Sequence, residues 1–127
     1  MARILVIDDQ PHIRDIFREA LEQDGHTVEV AADGRAGMRC YYEGRADLVI
    51  LDLYMPEQDG LETIRQLRAA TPRLPIIAMS GGGATGQVTS HLDIARHLGA
   101  ARTFEKPISL RDLYSMVKDV LGPEGER

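Results

Sequence analysis

The chain has one cysteine, no tryptophan and two phenylalanines among its 127 residues. A lone Cys40 excludes an internal disulfide and any cysteine-built metal framework. No apolar run approaches the roughly 20 residues that a membrane-spanning helix requires, so no membrane association is expected. Basic residues are in deficit. Fifteen Lys and Arg against twenty Asp and Glu give a net charge of −5, and the basic residues form no run. Direct nucleic-acid binding is thereby disfavoured. The amino terminus enters a strand-like run without the charged and long apolar regions of a signal peptide. With 43% hydrophobic and 28% charged residues, the composition is that of a single cytoplasmic globular domain, long enough to bury a core.

What the chain does contain is five short apolar runs alternating with five amphipathic stretches. Arg3–Ile7 reads as a buried strand. From Pro11 the period lengthens, placing Ile13, Ile16, Phe17, Ala20 and Leu21 on one helical stripe that Asp24-Gly25 ends. Thr27–Ala31 alternates, with Val28 and Val30 on one face. Asp33-Gly34 opens a second helix whose inner side includes Met38 and Tyr41. The run 48–53 is the strongest strand signal. Met55-Pro56-Glu57-Gln58-Asp59-Gly60 follows as a turn-rich loop. A helix then carries Leu61, Ile64 and Leu67, with the stem of Arg68 along the stripe's edge.

Residues 76–79 form the next strand, with Ser80 at its carboxyl end. Gly81-Gly82-Gly83-Ala84-Thr85-Gly86 reads as loop, because so many glycines would melt a helix. A helix starting near Gln87 to Thr89 turns Leu92, Ala95 and Leu98 inward and stops at Gly99. A short strand over 103–105 precedes the last helix, which Ser109 caps with Asp112 as a capping-box-like partner. Leu110, Leu113, Tyr114, Val117 and Leu121 make its stripe, and Gly122-Pro123 stops it. Five β-α units with short connections predict an α/β fold: a five-stranded parallel sheet, doubly wound as (βα)5, with helices on both faces. The expected domain spans 1–122, and 123–127 reads as a flexible tail or linker stub.

In such sheets ligands bind outside the carboxyl ends of the strands, where strand order reverses. Asp8, Asp9, Asp52, Ser80 and Lys106 all fall at carboxyl ends. Three carboxylates beside one ammonium repel one another, and a divalent cation with a phosphoryl group would balance them. Mg²⁺ prefers oxygen ligands and is commonly shared between carboxylates and a phosphate. A carboxylate at a strand end is reachable yet held rigidly, as an in-line nucleophile requires, which singles out Asp52. Plainer roles exist for each residue. Asp52 or Asp8 can cap a helix, Ser80 can be a turn serine, and most lysines are solvated surface groups.

Ile-Asp-Asp, Leu-Asp-Leu-Tyr-Met-Pro-Glu-Gln-Asp-Gly, Met-Ser-Gly and Glu-Lys-Pro, in that order at strand ends, resemble the receiver domain of two-component response regulators. The resemblance runs from Ile4 to Leu121 and implies the flavodoxin-like receiver fold. It also implies a phosphoacceptor that takes a phosphoryl group from a histidine kinase or histidine phosphotransfer protein and changes conformation to signal to a partner. By this resemblance Asp52 accepts the phosphoryl group. Asp9, Asp52 and the Tyr54 backbone carbonyl bind Mg²⁺ directly, with Mn²⁺ as a substitute, and Asp8 acts largely through water. Lys106, aimed inward by a cis bond to Pro107, pairs with Asp52 before transfer and with a phosphoryl oxygen afterwards. Ser80 moves to hydrogen-bond that group. The output surface is the last two helices and last strand, whose exposed side includes Arg111, Ser115 and Lys118. Such a domain catalyses its own phosphorylation and dephosphorylation and is not otherwise an enzyme. No output domain follows the last helix, so a stand-alone or excised receiver is expected.

Two departures stand out. Receivers often carry an aromatic residue three positions before the lysine, where this chain has Thr103; Phe104 should face the opposite way, since strand side chains alternate. The glycine-rich loop after Ser80 lacks the Gly-Lys-Ser/Thr ending of a P-loop, so flexibility is its expected purpose. Two other functional classes remain in view. A hydrolase with an aspartyl-phosphate intermediate wants a second acid two residues after Asp52, where Tyr54 stands. A flavodoxin-like nucleotide or flavin binder wants hydroxyl or glycine chemistry after the first strand, where Asp8-Asp9-Gln10 stands. His12, His26, His91 and His97 show no metal-ligand spacing with Cys40 and are assigned to surface or helix-face positions. Tyr54 is placed to flank a phosphoryl group on Asp52.

Overall fold

The computed structural model describes residues 1–54, 60–81 and 87–122, apart from the side chains of 87–91. The turn-rich segment 55–59, the glycine-rich segment 82–86, the tail 123–127 and the His91 side chain lie outside the described residues. The elements run β1 (Arg3–Ile7), α1 (Pro11–Gln23), β2 (Thr27–Ala31), α2 (Gly34–Glu43), β3 (Leu48–Asp52), α3 (Gly60–Ala70), β4 (Ile76–Ser80), α4 (Gln87–His97), β5 (Arg102–Glu105) and α5 (Leu110–Leu121). All strands pair in parallel in the order β2-β1-β3-β4-β5. The chain steps from β1 outward to β2, then returns across β1 to β3. That reversal leaves a crevice above the carboxyl ends of β1 and β3.

Alternation along the central strands explains the two cores. Ile4, Val6, Leu48, Ile50, Ile77 and Met79 face α1 and α5, where Phe17, Leu21, Leu113 and Val117 close the layer. Leu5, Ile7, Val49, Leu51, Ile76 and Ala78 face α2, α3 and α4, packing against Met38, Tyr41, Ile64, Leu67, Leu92 and Ala95. Because β3 and β4 are covered on both faces, every residue in them is buried, as parallel strands require.

Two expected core residues are not in the core. Ile16 is 46% exposed and Leu110 is 42% exposed. Positions 13, 17, 20 and 21 already complete the α1 contact stripe, which leaves Ile16 on its flank. Leu110 opens α5 a turn before that helix reaches the sheet with Leu113. His26 is also not a surface residue. Its side chain is only 9% exposed, and Nδ1 accepts the Ala2 N–H at 3.1 Å. Burial holds this imidazole below its usual pKa, against the nearby Asp24 charge. Cys40 is half-buried, and burial, reinforced by Glu29 and Glu43, pushes its thiol up.

Arg68 does more than cover an edge. One guanidinium nitrogen, Nη1, donates to the carbonyls of Pro72 and Leu74 at 2.8 Å each, and Nη2 donates to Gly99 O at 2.8 Å. It thus ties the turn before β4 to the carboxyl end of α4. Gly99 has φ +108°, and a Cβ there would stand 2.9 Å from Arg68 Nε, so both backbone and packing require glycine. Replacing Arg68 with alanine strands these acceptors and should lower unfolding free energy by on the order of 1–3 kcal/mol in urea titrations. Arg96→Ala, which among the described residues breaks an exposed pair with Asp93, should change it by less than about 1 kcal/mol.

Candidate functional site

Each charged group at the sheet edge is fixed by backbone that the fold has already committed. Asp8 extends β1 by one residue. Its N–H donates to Ala31 O at 3.0 Å, and its carbonyl accepts from Arg14 Nη1 at 2.7 Å. The side chain is fully buried with both oxygens engaged: Oδ1 accepts the Gln10 N–H at 2.8 Å, and Oδ2 accepts from Lys106 Nζ at 2.8 Å. Asp9, the next residue, is exposed. Asp52 closes β3 and is 3% exposed. Its Oδ1 accepts the Tyr54 N–H at 3.1 Å, and its Oδ2 lies 3.4 Å from Lys106 Nζ.

Lys106 continues β5, its N–H donating to Ser80 O at 2.7 Å, and its bond to Pro107 is cis. The Lys106 side chain is 12% exposed. A third contact runs from Nζ to Gln10 Oε1 at 3.4 Å. One carboxylate oxygen each from Asp8, Asp9 and Asp52 lie within 4.8 Å of one another. Above them opens a pocket of about 400 Å³ lined by Asp9, Gln10, Ile13, Asp52, Tyr54, Gly81, Lys106 and Pro107.

The electrostatics are unbalanced. Burial pushes the Asp52 carboxyl up to about 6, and the Asp8 charge adds to this. The Tyr54 N–H and Lys106 oppose the shift without cancelling it. Burial pulls Lys106 down, but its hydrogen bond to Asp8 and the charges of Asp52 and Asp8 outweigh this and hold it above the usual lysine range. The ammonium therefore stays charged and two buried carboxylates compete for it. An all-oxygen cluster with surplus negative charge is the donor set that a hard divalent cation takes.

Asp8, Asp9, Asp52 and Lys106 thus come together, with two differences from expectation. Lys106 sits closer to Asp8 than to Asp52, with Nζ 2.8 Å from Asp8 Oδ2 and 3.4 Å from Asp52 Oδ2. Asp8 does not cap α1; Gln10 occupies the N-cap position and makes no side-chain cap bond. Ser80 is fully buried at the end of β4, but its Oγ donates to Gly81 O at 3.4 Å. Strand alternation explains this: Ser80 follows Ile76 and Ala78 toward α4, whereas Asp52 follows Leu48 and Ile50 toward α1 and α5. Thr103 pairs with Ala78 and takes its face, while Phe104 pairs with Met79 and packs on the opposite core.

Sequence reasoning missed Gln10, Arg14 and Gly60. A Cβ on Gly60 would stand 2.5 Å from Leu53 Cα and 2.6 Å from Asp52 O. Only glycine therefore lets α3 begin against the backbone that carries Asp52. Its place after Asp59 was the available signal. For Gln10 the signal was an uncommon residue type at a helix N-cap.

Fold and site together define a class: doubly wound α/β domains with an acidic cluster and one lysine over the reversal of strand order. Comparison with known proteins narrows it. The family model for the response regulator receiver domain matches residues 4–118. Response regulator MprA of Mycolicibacterium vanbaalenii is 36% identical over 119 residues, covering 94% of this chain and 50% of its own length. The chain thus spans about half of that relative. A response regulator receiver domain protein from Clostridium thermocellum superimposes with TM-score 0.88 at 29% identity, covering 98% of both chains. Response regulator protein TrrA of Thermotoga maritima, in complex with Mg²⁺-BeF, gives TM-score 0.82 at 32% identity over 95% of this chain and all of its own. This chain belongs to the response regulator receiver domain family of two-component signalling proteins. Among the described residues no helix is long and apolar enough to cross a membrane.

The Asp52 shift has a consequence for stability. A carboxyl at 3.8 when unfolded and about 6 when folded binds more protons in the folded chain between those values. Stability therefore falls as pH rises through that window. In chelator at pH 7.5, Asp52→Asn should raise unfolding free energy by on the order of 1–3 kcal/mol. That gain should shrink as pH falls from about 6 toward 4. Chemical denaturation of both proteins across this range checks the sign.

Proposed function

We propose that Asp52 is the phosphoacceptor of this receiver domain, supplied by a histidine kinase or a histidine phosphotransfer protein. One observation carries the reading: a carboxylate held at a rigid strand end, with an incompletely compensated charge and a lysine 3.4 Å away, under an open pocket. Asp52 Oδ1 is engaged by the Tyr54 N–H. Oδ2, on the Lys106 side, is the nucleophile.

Asp9, Asp52 and the Tyr54 backbone carbonyl hold Mg²⁺, and Mn²⁺ can replace it. Both Asp8 oxygens already accept hydrogen bonds, so Asp8 contributes charge and reaches the cation largely through water. Bound there, Mg²⁺ supplies Lewis-acid neutralisation of the charge on the transferring group. The complex of TrrA with Mg²⁺-BeF supports this assignment. Lys106 moves its 3.4 Å contact from Asp52 to a phosphoryl oxygen. Ser80 rotates from the Gly81 carbonyl to the same group, which draws the end of β4 inward.

The chain acts on itself and is not an enzyme for a separate substrate. Its output surface is α4, β5 and α5, where Arg111, Ser115 and Lys118 are exposed. Thr103 supplies no ring at the position three residues before Lys106 where receivers often carry an aromatic side chain. The domain is assigned to 1–122, with 123–127 as tail or linker.

An acyl-phosphate donor tests the reading. Wild type should take up label with Mg²⁺ and not in chelator, Asp52→Ala should take up none, and Lys106→Met should label at least about tenfold more slowly. Equal labelling of wild type and Asp52→Ala would overturn it.

A further inference from the structure

We infer that Gln10 is a positioning residue for Lys106. This rests on the reading of Asp52 as phosphoacceptor and deepens it. The Lys106 ammonium has three N–H donors and no acceptor, and among the described residues three oxygens lie within reach: Asp8 Oδ2 at 2.8 Å, Asp52 Oδ2 at 3.4 Å and Gln10 Oε1 at 3.4 Å. Gln10 also fixes the strongest of these partners, because its own N–H donates to Asp8 Oδ1 at 2.8 Å. Backbone and side chain of one residue therefore brace the lysine twice, once through Asp8 and once directly.

A second observation points the same way. Gln10 is the N-cap of α1, a 13-residue helix, and makes no side-chain cap bond there. Ser, Thr, Asp and Asn are the residues that cap well, since their short side chains reach the first-turn N–H groups. The chain forgoes a cap at this end and spends the side chain on the pocket instead. Local rules broken in this manner are expected at functional positions.

The choice of a neutral amide also fits the chemistry. A carboxylate at position 10 would hold the ammonium more firmly, but it would add negative charge to the wall of a pocket that must admit an anion. Glutamine offers an acceptor without that repulsion. With two N–H groups retained by Asp8 and Gln10, the one directed at Asp52 is the one released to the phosphoryl oxygen. Lys106 then changes partner without leaving the pocket.

Two substitutions separate this role from helix capping. Gln10→Met keeps the length, removes the acceptor and leaves the helix end uncapped. Gln10→Ser also removes the acceptor but supplies a good cap. With an acyl-phosphate donor, both should lower the maximal labelling rate by a similar factor, on the order of three- to tenfold. The half-saturating Mg²⁺ concentration should stay unchanged, and Gln10→Ser should melt at a higher temperature than wild type. A more stable but slower protein is an outcome that a purely structural role does not produce. A wild-type maximal rate in either variant overturns the inference, as does a rate loss that follows thermal stability or a shifted Mg²⁺ requirement. Absence of Asp52-dependent label in the wild type is a different result: it removes the phosphoacceptor reading itself.

Discussion

The competition of Asp8 and Asp52 for the half-buried ammonium of Lys106 is the constraint on which the rest of the site depends. Lys106 is 2.8 Å from one and 3.4 Å from the other, so neither pair is closed and the cluster keeps surplus negative charge. Isolated, that arrangement opposes folding, because buried charge must be paired. A hydrophobic substitute would be more stable and functionless. The fold tolerates the cluster because β1, β3 and β4 are packed on both faces and hold the strand ends in place. Surplus charge at a rigid edge is what makes a cation and an anionic group welcome together.

Support for that edge comes from contacts outside the reacting atoms. Arg14 holds the Asp8 carbonyl, Gly60 lets α3 start against the backbone of Asp52 and Leu53, and Lys106 is anchored by its N–H to Ser80 O. The last contact matters most for signalling. Ser80 and Lys106 are joined through backbone, so a displacement of either strand end is felt by the other. At the opposite end of the sheet, Arg68 fastens the carboxyl end of α4 to the turn before β4.

Much of this was legible in the sequence, for a physical reason. Buried parallel strands read as uninterrupted apolar runs, so the residues that break them at their carboxyl ends, Asp8, Asp52, Ser80 and Lys106, stand out without a structure. The five β-α units and their register with those residues followed. What was not legible depended on direction and distance. Periodicity placed Ile16 and Leu110 inward, but the width of the contact stripe and the height at which α5 meets the sheet left both exposed. The family resemblance gave Lys106 to Asp52, but side-chain geometry gives it first to Asp8. Arg68, His26 and Gln10 make their main contacts through backbone atoms or residues remote in sequence, which no local pattern encodes.

The most direct measurement is a crystal structure of this chain with Mg²⁺ and beryllium fluoride, the stand-in for a phosphoryl group already seen with TrrA. Beryllium is expected on Asp52 Oδ2 and the cation on Asp9, Asp52 and the Tyr54 carbonyl. Lys106 Nζ should lie on a fluorine while still bonded to Asp8, and Ser80 Oγ should be turned from Gly81 toward the same group. An unmodified Asp52, or a cation bound away from these three ligands, would contradict this arrangement.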